Sequence, residues 1–355
     1  MAREKLYLRP IGCLYGAPAE AGVSEGLALP LAGGPIAFAA AELIEGAPGN
    51  AKRRVFTAHA LAESRDADLA ALLRRVTAQR PPFAGLSLDR PLLMGIVNVT
   101  PDSFSDGGLY DSKEDAIAHA AELAAAGAAI IDIGGESTRP GSDPVEAGQE
   151  GTRVLPVIAG LKGLNATISI DTRKASVARA AAKAGVKIFN DVSALTHDKQ
   201  SVAAVVETGV AVVLMHAQGE PRTMQDNPHY ADVVLEVFDY LEARIAAVEA
   251  AGIERSRIAA DPGLGFGKTL AHNLALLAHT SLFHGLGVPL LIGASRKRFI
   301  QGVSGGTEPK DREPGSHAAA VVAAAQGAQI LRVHDVAGSR QALGVWRAST
   351  FGTEN

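Results

Sequence analysis

The stretch 92–110, LLMGIVNVTPDSFSDGGLY, pairs a short apolar run with an abrupt polar loop: Leu92 to Val97 are apolar apart from Gly95, Asn98 ends the run, and Pro101, Gly107 and Gly108 break the chain that follows. A run of this kind reads as a strand buried on both faces. Delivering an amide to the start of an exposed loop makes it one wall of a candidate site. Seven further β-branched or Leu-rich runs follow at 128–133, 166–171, 186–190, 210–215, 257–261, 289–293 and 329–333. Helical stretches are expected at 112–126, 145–161, 174–184, 199–207, 229–251, 270–279, 315–325 and 335–347. In the fifth of these, Val234, Val237, Leu241, Ile245 and Val248 keep a helical period. Eight strand and helix units in alternation predict an α/β fold, a (β/α)8 TIM barrel, with a doubly wound sheet as the alternative.

Composition agrees. The chain has 355 residues, 47% apolar but only 5% aromatic, with 38 glycines, as suits helices packed closely on a parallel sheet. A barrel accounts for about 250 residues. We therefore divide the chain into a barrel at 83–355 and an N-terminal extension at 1–82. The segment Leu27 to Ala41 reads as strand, turn and short helix, and Thr57 to Gln79 as one amphipathic helix stopped by Pro81-Pro82. The role of the extension, and whether it packs on the barrel or on another chain, stays open.

The net charge of −4, with basic residues scattered, offers no field for nucleic acid. Cys13 is the sole cysteine, which excludes internal disulfides and suits a reducing cytoplasm. No apolar run suggests a secretory signal or a membrane span.

In a barrel of this type catalytic side chains stand at the C-terminal ends of the strands. The polar residues follow that rule: Asn98, Asp132, Asp171, Asn190 with Asp191, His216, Asp261, Ser295-Arg296-Lys297, then Arg332 and His334, each at or just after a strand end. Any one of them could cap a helix or close a turn. Together they point to one shared ligand. Carboxylates and amides beside aliphatic walls suit a flat heterocycle with several N–H donors, and Arg332, His334 and Lys297 suit an anion nearer the mouth. Gly263-Leu-Gly-Phe-Gly-Lys-Thr269 fails as a Walker A loop, being one residue short. Gly127, Gly185, Gly209 and Gly252 stand where helices end, as left-handed caps would. With one cysteine and no H-E-x-x-H, any metal would be Mg²⁺ held by few oxygen ligands.

These blocks resemble the dihydropteroate synthases. NVTPDSFSDGG at 98–108 and DIGGESTRPGS at 132–142 are similar to that family's two signature segments. SIDTRKA at 169–175, FNDVSAL at 189–195, VLMH at 213–216, DPGLGFGKT at 261–269, GASRKRFI at 293–300 and RVHDV at 332–336 follow in the family's order. The resemblance covers about 84–348. It implies condensation of 6-hydroxymethyl-7,8-dihydropterin pyrophosphate with 4-aminobenzoate, giving 7,8-dihydropteroate and pyrophosphate.

By the same resemblance Asp261, Asn190 and Asp171 would bind the pterin edge, and Lys297 the ring acceptors and the border of the aminobenzoate site. Asn98, Arg332 and His334 would hold the pyrophosphate, with Asn98 also a ligand of Mg²⁺. Thr138, Arg139, Pro140 and Phe104 would close over the aminobenzoate. The catalytic set would be Lys297, Asp171, Arg332 and His334, in a cytoplasmic homodimer. Asp132, Asp191 and His216 could equally be structural. Two other classes remain: a methyltetrahydrofolate:corrinoid methyltransferase on the same barrel, and a non-catalytic pterin-binding paralogue.

Overall fold

The computed structural model describes residues 4–99, 111–137, 143–220 and 222–353. The chain opens with an antiparallel sheet, β1 (Leu6–Leu14), β2 (Leu29–Pro30), β3 (Ala37–Glu45) and β4 (Lys52–Thr57), with β3 paired to all three others. Helix α1 (Ala17–Ser24) joins β1 to β2, and α2 (Ala58–Ala62) and α3 (Ala67–Thr77) follow. Two expectations are corrected here. The short helix expected before Ala41 is strand β3, because pairing with β1 from Ala37↔Leu14 onward overrides the helical propensity of its alanines. The single helix expected over 57–79 is two, since Asp66 accepts hydrogen bonds from the Asp68 and Leu69 amides and so starts α3 afresh.

Eight parallel strands then form the barrel: β5 (Leu92–Asn98), β6 (Ile130–Gly134), β7 (Thr167–Asp171), β8 (Ile188–Asp191), β9 (Ala211–Met215), β10 (Ile258–Asp261), β11 (Leu291–Ile292) and β12 (Ile330–Val333). Neighbours in the chain are neighbours in the sheet from β5 to β10, β12 pairs β5 and β11, and a parallel bridge from Ala260 to Leu290 closes the ring. The outer layer comprises α4 (Asp111–Ala126), α5 (Ala147–Gly160), α6 (Ala175–Lys183), α7 (Ser201–Thr208), α8 (Val233–Ala250), α9 (Leu270–Ala278), α10 (Arg298–Ser304), α11 (Glu313–Ala324) and α12 (Val336–Phe351). The sequence expected every one of these except α10.

Strand side chains alternate between the barrel interior and the helical layer. Outward-facing Leu93, Val97, Ile131 and Ile133 pack beneath the helices. Inward-facing Met94, Ile130, Ile188, Ala259, Leu291 and Ile330 fill the lower interior, where Phe83 closes the floor. One inward step up each strand, apolar gives way to polar: Ile130 to Asp132, Ile188 to Asn190, Ala259 to Asp261, Ile330 to Arg332. The barrel is a plug of hydrocarbon below and a polar basin above.

The extension packs on its own barrel. Tyr7 is fully buried, its ring edge-on to Phe238 of α8 at 5.4 Å and its hydroxyl donating to Asp239 Oδ2 at 3.0 Å. Ser281 Oγ donates to the Pro10 carbonyl at 2.8 Å, and Lys5 pairs with Asp239 and Glu242.

Candidate active site at the C-terminal rim

Register sets the site. Asn98, Gly134, Asp171 and Asn190 are successive partners across β5, β6, β7 and β8, so they form one layer of the rim. Gly134, without a side chain, leaves that layer open: a Cβ there would lie 3.7 Å from Asn98 Oδ1 and 3.8 Å from Asp171 Oδ2. The amide and the carboxylate thus flank one small space. A layer deeper, buried Asp132 Oδ2 accepts from Asn190 Nδ2 at 2.9 Å and from Arg332 Nε at 2.7 Å, while Arg332 Nη2 donates to Asp171 Oδ2 at 2.8 Å. Arg332 therefore bridges two acids at the centre of the basin. Burial alone would lower its pKa, but Asp132 and Asp171 reverse that and raise it.

Burial pushes the Asp171 carboxyl up to about 7; Arg332 opposes the shift, and Asp132 adds to it. Asp261 is likewise raised by burial, partly offset by the Gly263 amide, which donates to its Oδ1 at 2.7 Å, and by Lys297 and Lys268. Asp171 Oδ1 and Asp132 Oδ1 are buried and have no hydrogen-bond partner among the described residues. Buried carboxylate oxygens of this kind suit a ligand rich in N–H donors or a hard cation. Across the mouth, Lys297 Nζ lies 4.1 Å from the Phe266 ring centroid, and Ser295 Oγ is 3.0 Å from His334 Nδ1.

Several residues that the sequence left undecided have structural partners. Asp132 joins Asn190 and Arg332. Asp191 accepts from the Ser193 and Leu195 amides and so closes the turn after β8. His216 is buried against Tyr240, ring edge to face at 4.9 Å, and stays neutral because burial and then Lys268 drive its pKa down to about 2. Gly127, Gly185, Gly209 and Gly252 all have positive φ, as their helix-end positions predict. Thr138, Arg139, Pro140 and Phe104 lie outside the described residues.

Three features escaped the sequence reading. Lys268, in the stretch dismissed as a failed phosphate loop, is fully enclosed and reaches His216 Nδ1 at 2.9 Å and the Phe266 carbonyl at 2.9 Å; burial depresses its pKa to about 7. Its glycine-rich surroundings were a usable signal, for a lysine there has little room to reach solvent. The second is a buried ion cluster: Glu136 accepts from the Val145 amide and meets Arg173 and Lys174, and Lys174 also pairs with Glu150. It ties the two ends of the segment 136–145 to the loop after β7. Residues so far apart in sequence carry no local pattern that would reveal it. The third is a set of Glu313, His317 and Asp335, whose ligand atoms lie within 4.8 Å of one another among the described residues. Glu313 pairs with Arg296 there, and His317 Nε2 lies 3.0 Å from Asp335 Oδ2, so the group has protein partners of its own.

Comparison with known proteins assigns the family. A family model described as pterin binding enzyme matches residues 94–334. The dihydropteroate synthase of Escherichia coli (strain K12) is 48% identical over 271 residues, 76% of this chain and 95% of that protein. That of Neisseria meningitidis serogroup C is 49% identical over 266 residues, 74% of this chain and 94% of its own. Among solved structures, Xanthomonas albilineans dihydropteroate synthase with 4-aminobenzoic acid is 50% identical with a TM-score of 0.71, covering 75% of this chain and 96% of its own. The Burkholderia cenocepacia enzyme complexed with 7,8-dihydropteroate is 43% identical with a TM-score of 0.68, covering 74% and 93%. With a barrel whose polar basin sits on the strand ends and a match spanning seven of its eight strands completely and most of the remaining one, this chain belongs to the family of pterin binding enzymes.

Proposed function

We infer that this chain is a dihydropteroate synthase, a transferase that joins 6-hydroxymethyl-7,8-dihydropterin pyrophosphate to 4-aminobenzoate, giving 7,8-dihydropteroate and pyrophosphate. The observation that carries this is the basin of Asp132, Asp171, Asn190 and Arg332 in a chain 48% identical to an enzyme of that name. The corrinoid methyltransferase and the non-catalytic paralogue give way to it.

Roles for single residues are our proposal. Asp261, Asn190 and Asp171 bind the N–H edge of the pterin, and Lys297 stands at the ring acceptors, beside the aminobenzoate site. Asn98, Arg332 and His334 take the pyrophosphate, and Thr138, Arg139, Pro140 and Phe104 cover the aminobenzoate. Departure of pyrophosphate leaves a cation delocalised over the dihydropterin, which the carboxylates of the basin stabilise, and the weakly nucleophilic aryl amine then attacks. Closing loops keep water from trapping the cation. Mg²⁺ fits the residues present, since the Asn98 amide oxygen and the Asp171 carboxylate border one space and Asp171 Oδ1 has no partner among the described residues. Asn98 would hold the ion, which when bound neutralises charge on the leaving pyrophosphate.

A cytoplasmic homodimer completes the reading. Exposed Leu270 and Leu274 on α9, Val303 on α10, Val322 on α11 and Val345 on α12 support a self-association face, and no described helix is long and apolar enough to cross a membrane. The deciding experiment is pyrophosphate release from the pterin pyrophosphate, measured with and without 4-aminobenzoate and with and without Mg²⁺. Turnover should require the amine, and release indifferent to it would overturn the assignment.

A further inference from the structure

Among the described residues five other than glycine have positive φ, and one of them, Arg296 at +58°, stands between Ser295 and Lys297 of the rim. Crowding around Cβ makes that conformation costly for an L side chain, so it persists only where the surroundings impose it. The entry to α11 imposes it on Arg296. The Arg296 amide donates to Ser316 Oγ at 2.9 Å, its carbonyl accepts from Arg312 Nη1 at 3.0 Å, and its Nε donates to Glu313 Oε1. These anchors are themselves fixed. Ser316 Oγ donates to the Arg312 carbonyl at 2.8 Å, and buried Arg312 donates to the Gly306 carbonyl at 2.9 Å and to Gln301 Oε1 at 2.8 Å.

The residues on either side of Arg296 meet different parts of the rim. Ser295 Oγ accepts from the His334 amide at 3.2 Å and lies 3.0 Å from His334 Nδ1, after β12. Lys297 crosses to the loop after β10, its Nζ over the Phe266 ring and its stem against Gly265, where a Cβ would lie 3.0 Å from Lys297 Cδ. Returning φ of Arg296 to the ordinary negative range would turn the chain by roughly 120° between these two contacts. One of them would then be lost.

We propose that Arg296 is a positioning residue: the left-handed backbone that Arg312, Glu313 and Ser316 impose on it sets Ser295 against His334 and Lys297 against Phe266 at the same time. Its importance for turnover rests on the roles given above to Lys297 and His334.

Two substitutions in the full-length protein separate backbone from side chain. Arg296→Gly and Arg296→Val both lose the pair with Glu313, but glycine enters the left-handed region freely and a β-branched residue strongly resists it. Per folded molecule, KM for 4-aminobenzoate should rise about tenfold in Arg296→Val and stay within about threefold of the parent in Arg296→Gly. In a Lys297→Ala background Arg296→Val should add less than about twofold, because the side chain it aims is already missing. Ser316→Ala, which removes the acceptor of the Arg296 amide, carries the test if Arg296→Val does not fold, with an expected rise of about threefold. A readout that needs no turnover is the ¹⁵N resonance of His334 Nδ1, identified by its loss in His334→Gln. It should move in Arg296→Val and hold in Arg296→Gly. If the parent shows no amine-dependent turnover while this pattern appears, the synthase reading falls and the positioning role stands. Equal KM in the glycine and valine variants, full additivity with Lys297→Ala, or an unmoved His334 resonance in Arg296→Val would overturn the positioning role.

Discussion

Asp171 illustrates how one carboxyl can couple the site to the stability of the fold. Burial lifts its pKa from 3.8 to about 7 despite Arg332 beside it. Between those values the folded chain holds a proton that the unfolded chain releases, so this group makes the fold progressively less stable as pH rises through that window. Asp171→Asn should remove that slope. Thermal unfolding followed from about pH 5 to about pH 8 should show a smaller fall in Tm for the variant than for the parent, and equal slopes would mean that Asp171 is ionised throughout. Asp261 poses a separate question, because its Oδ1 is occupied by the Gly263 amide and only its other oxygen is left to face a ligand. Asp261→Ala should abolish pterin binding in calorimetry, and unchanged affinity would exclude it from the pterin edge.

At the scale of elements, the glycines after β10 decide how closely two loops approach. Gly263 has φ of +69°, and an added Cβ would overlap the His216 carbonyl at the end of β9. Gly267 is pressed against Gln218 in the same way. These contacts seat Lys268 under the basin, where it donates to His216 and to the Phe266 carbonyl while the Phe266 ring receives Lys297. Gly263→Ala should therefore cost about 3 kcal/mol through backbone strain and overlap. The same displacement should loosen the Lys297 side of the mouth. Chemical denaturation would measure the first effect and the KM for 4-aminobenzoate the second; a change in neither would show that the loop can shift without penalty.

For the molecule as a whole, the extension acts as a foundation of the barrel. Tyr7 and Ile44 of the extension belong to the main core with Phe238. Tyr7→Ala should lower stability by about 3–4 kcal/mol, seen as an earlier denaturation midpoint. Turnover per folded molecule should be unchanged, since the residue faces α8 and not the basin.

Much of this architecture is legible in the linear order of residues. Apolar runs at Leu92, Ile130, Ile188 and Ile330 that end in polar groups specify buried parallel strands and a polar rim, because each run is short-range and its periodicity depends on neighbours alone. Gly209 and its counterparts mark helix ends for the same local reason. Helix α10 was hidden because only seven residues carry it, and strand β3 because its alanines favour a helix until β1 pairs with them. The rim residues could be named in advance, but not their mutual geometry. That Arg332 bridges Asp132 and Asp171 follows from closing the barrel, which brings groups 200 and 161 positions apart within hydrogen-bond reach. The enclosure of Lys268, the Glu136 cluster and the reach of Arg80 to the His284 carbonyl arise likewise from long-range packing: burial and pairing depend on which distant segments meet, and no local pattern in the chain encodes that.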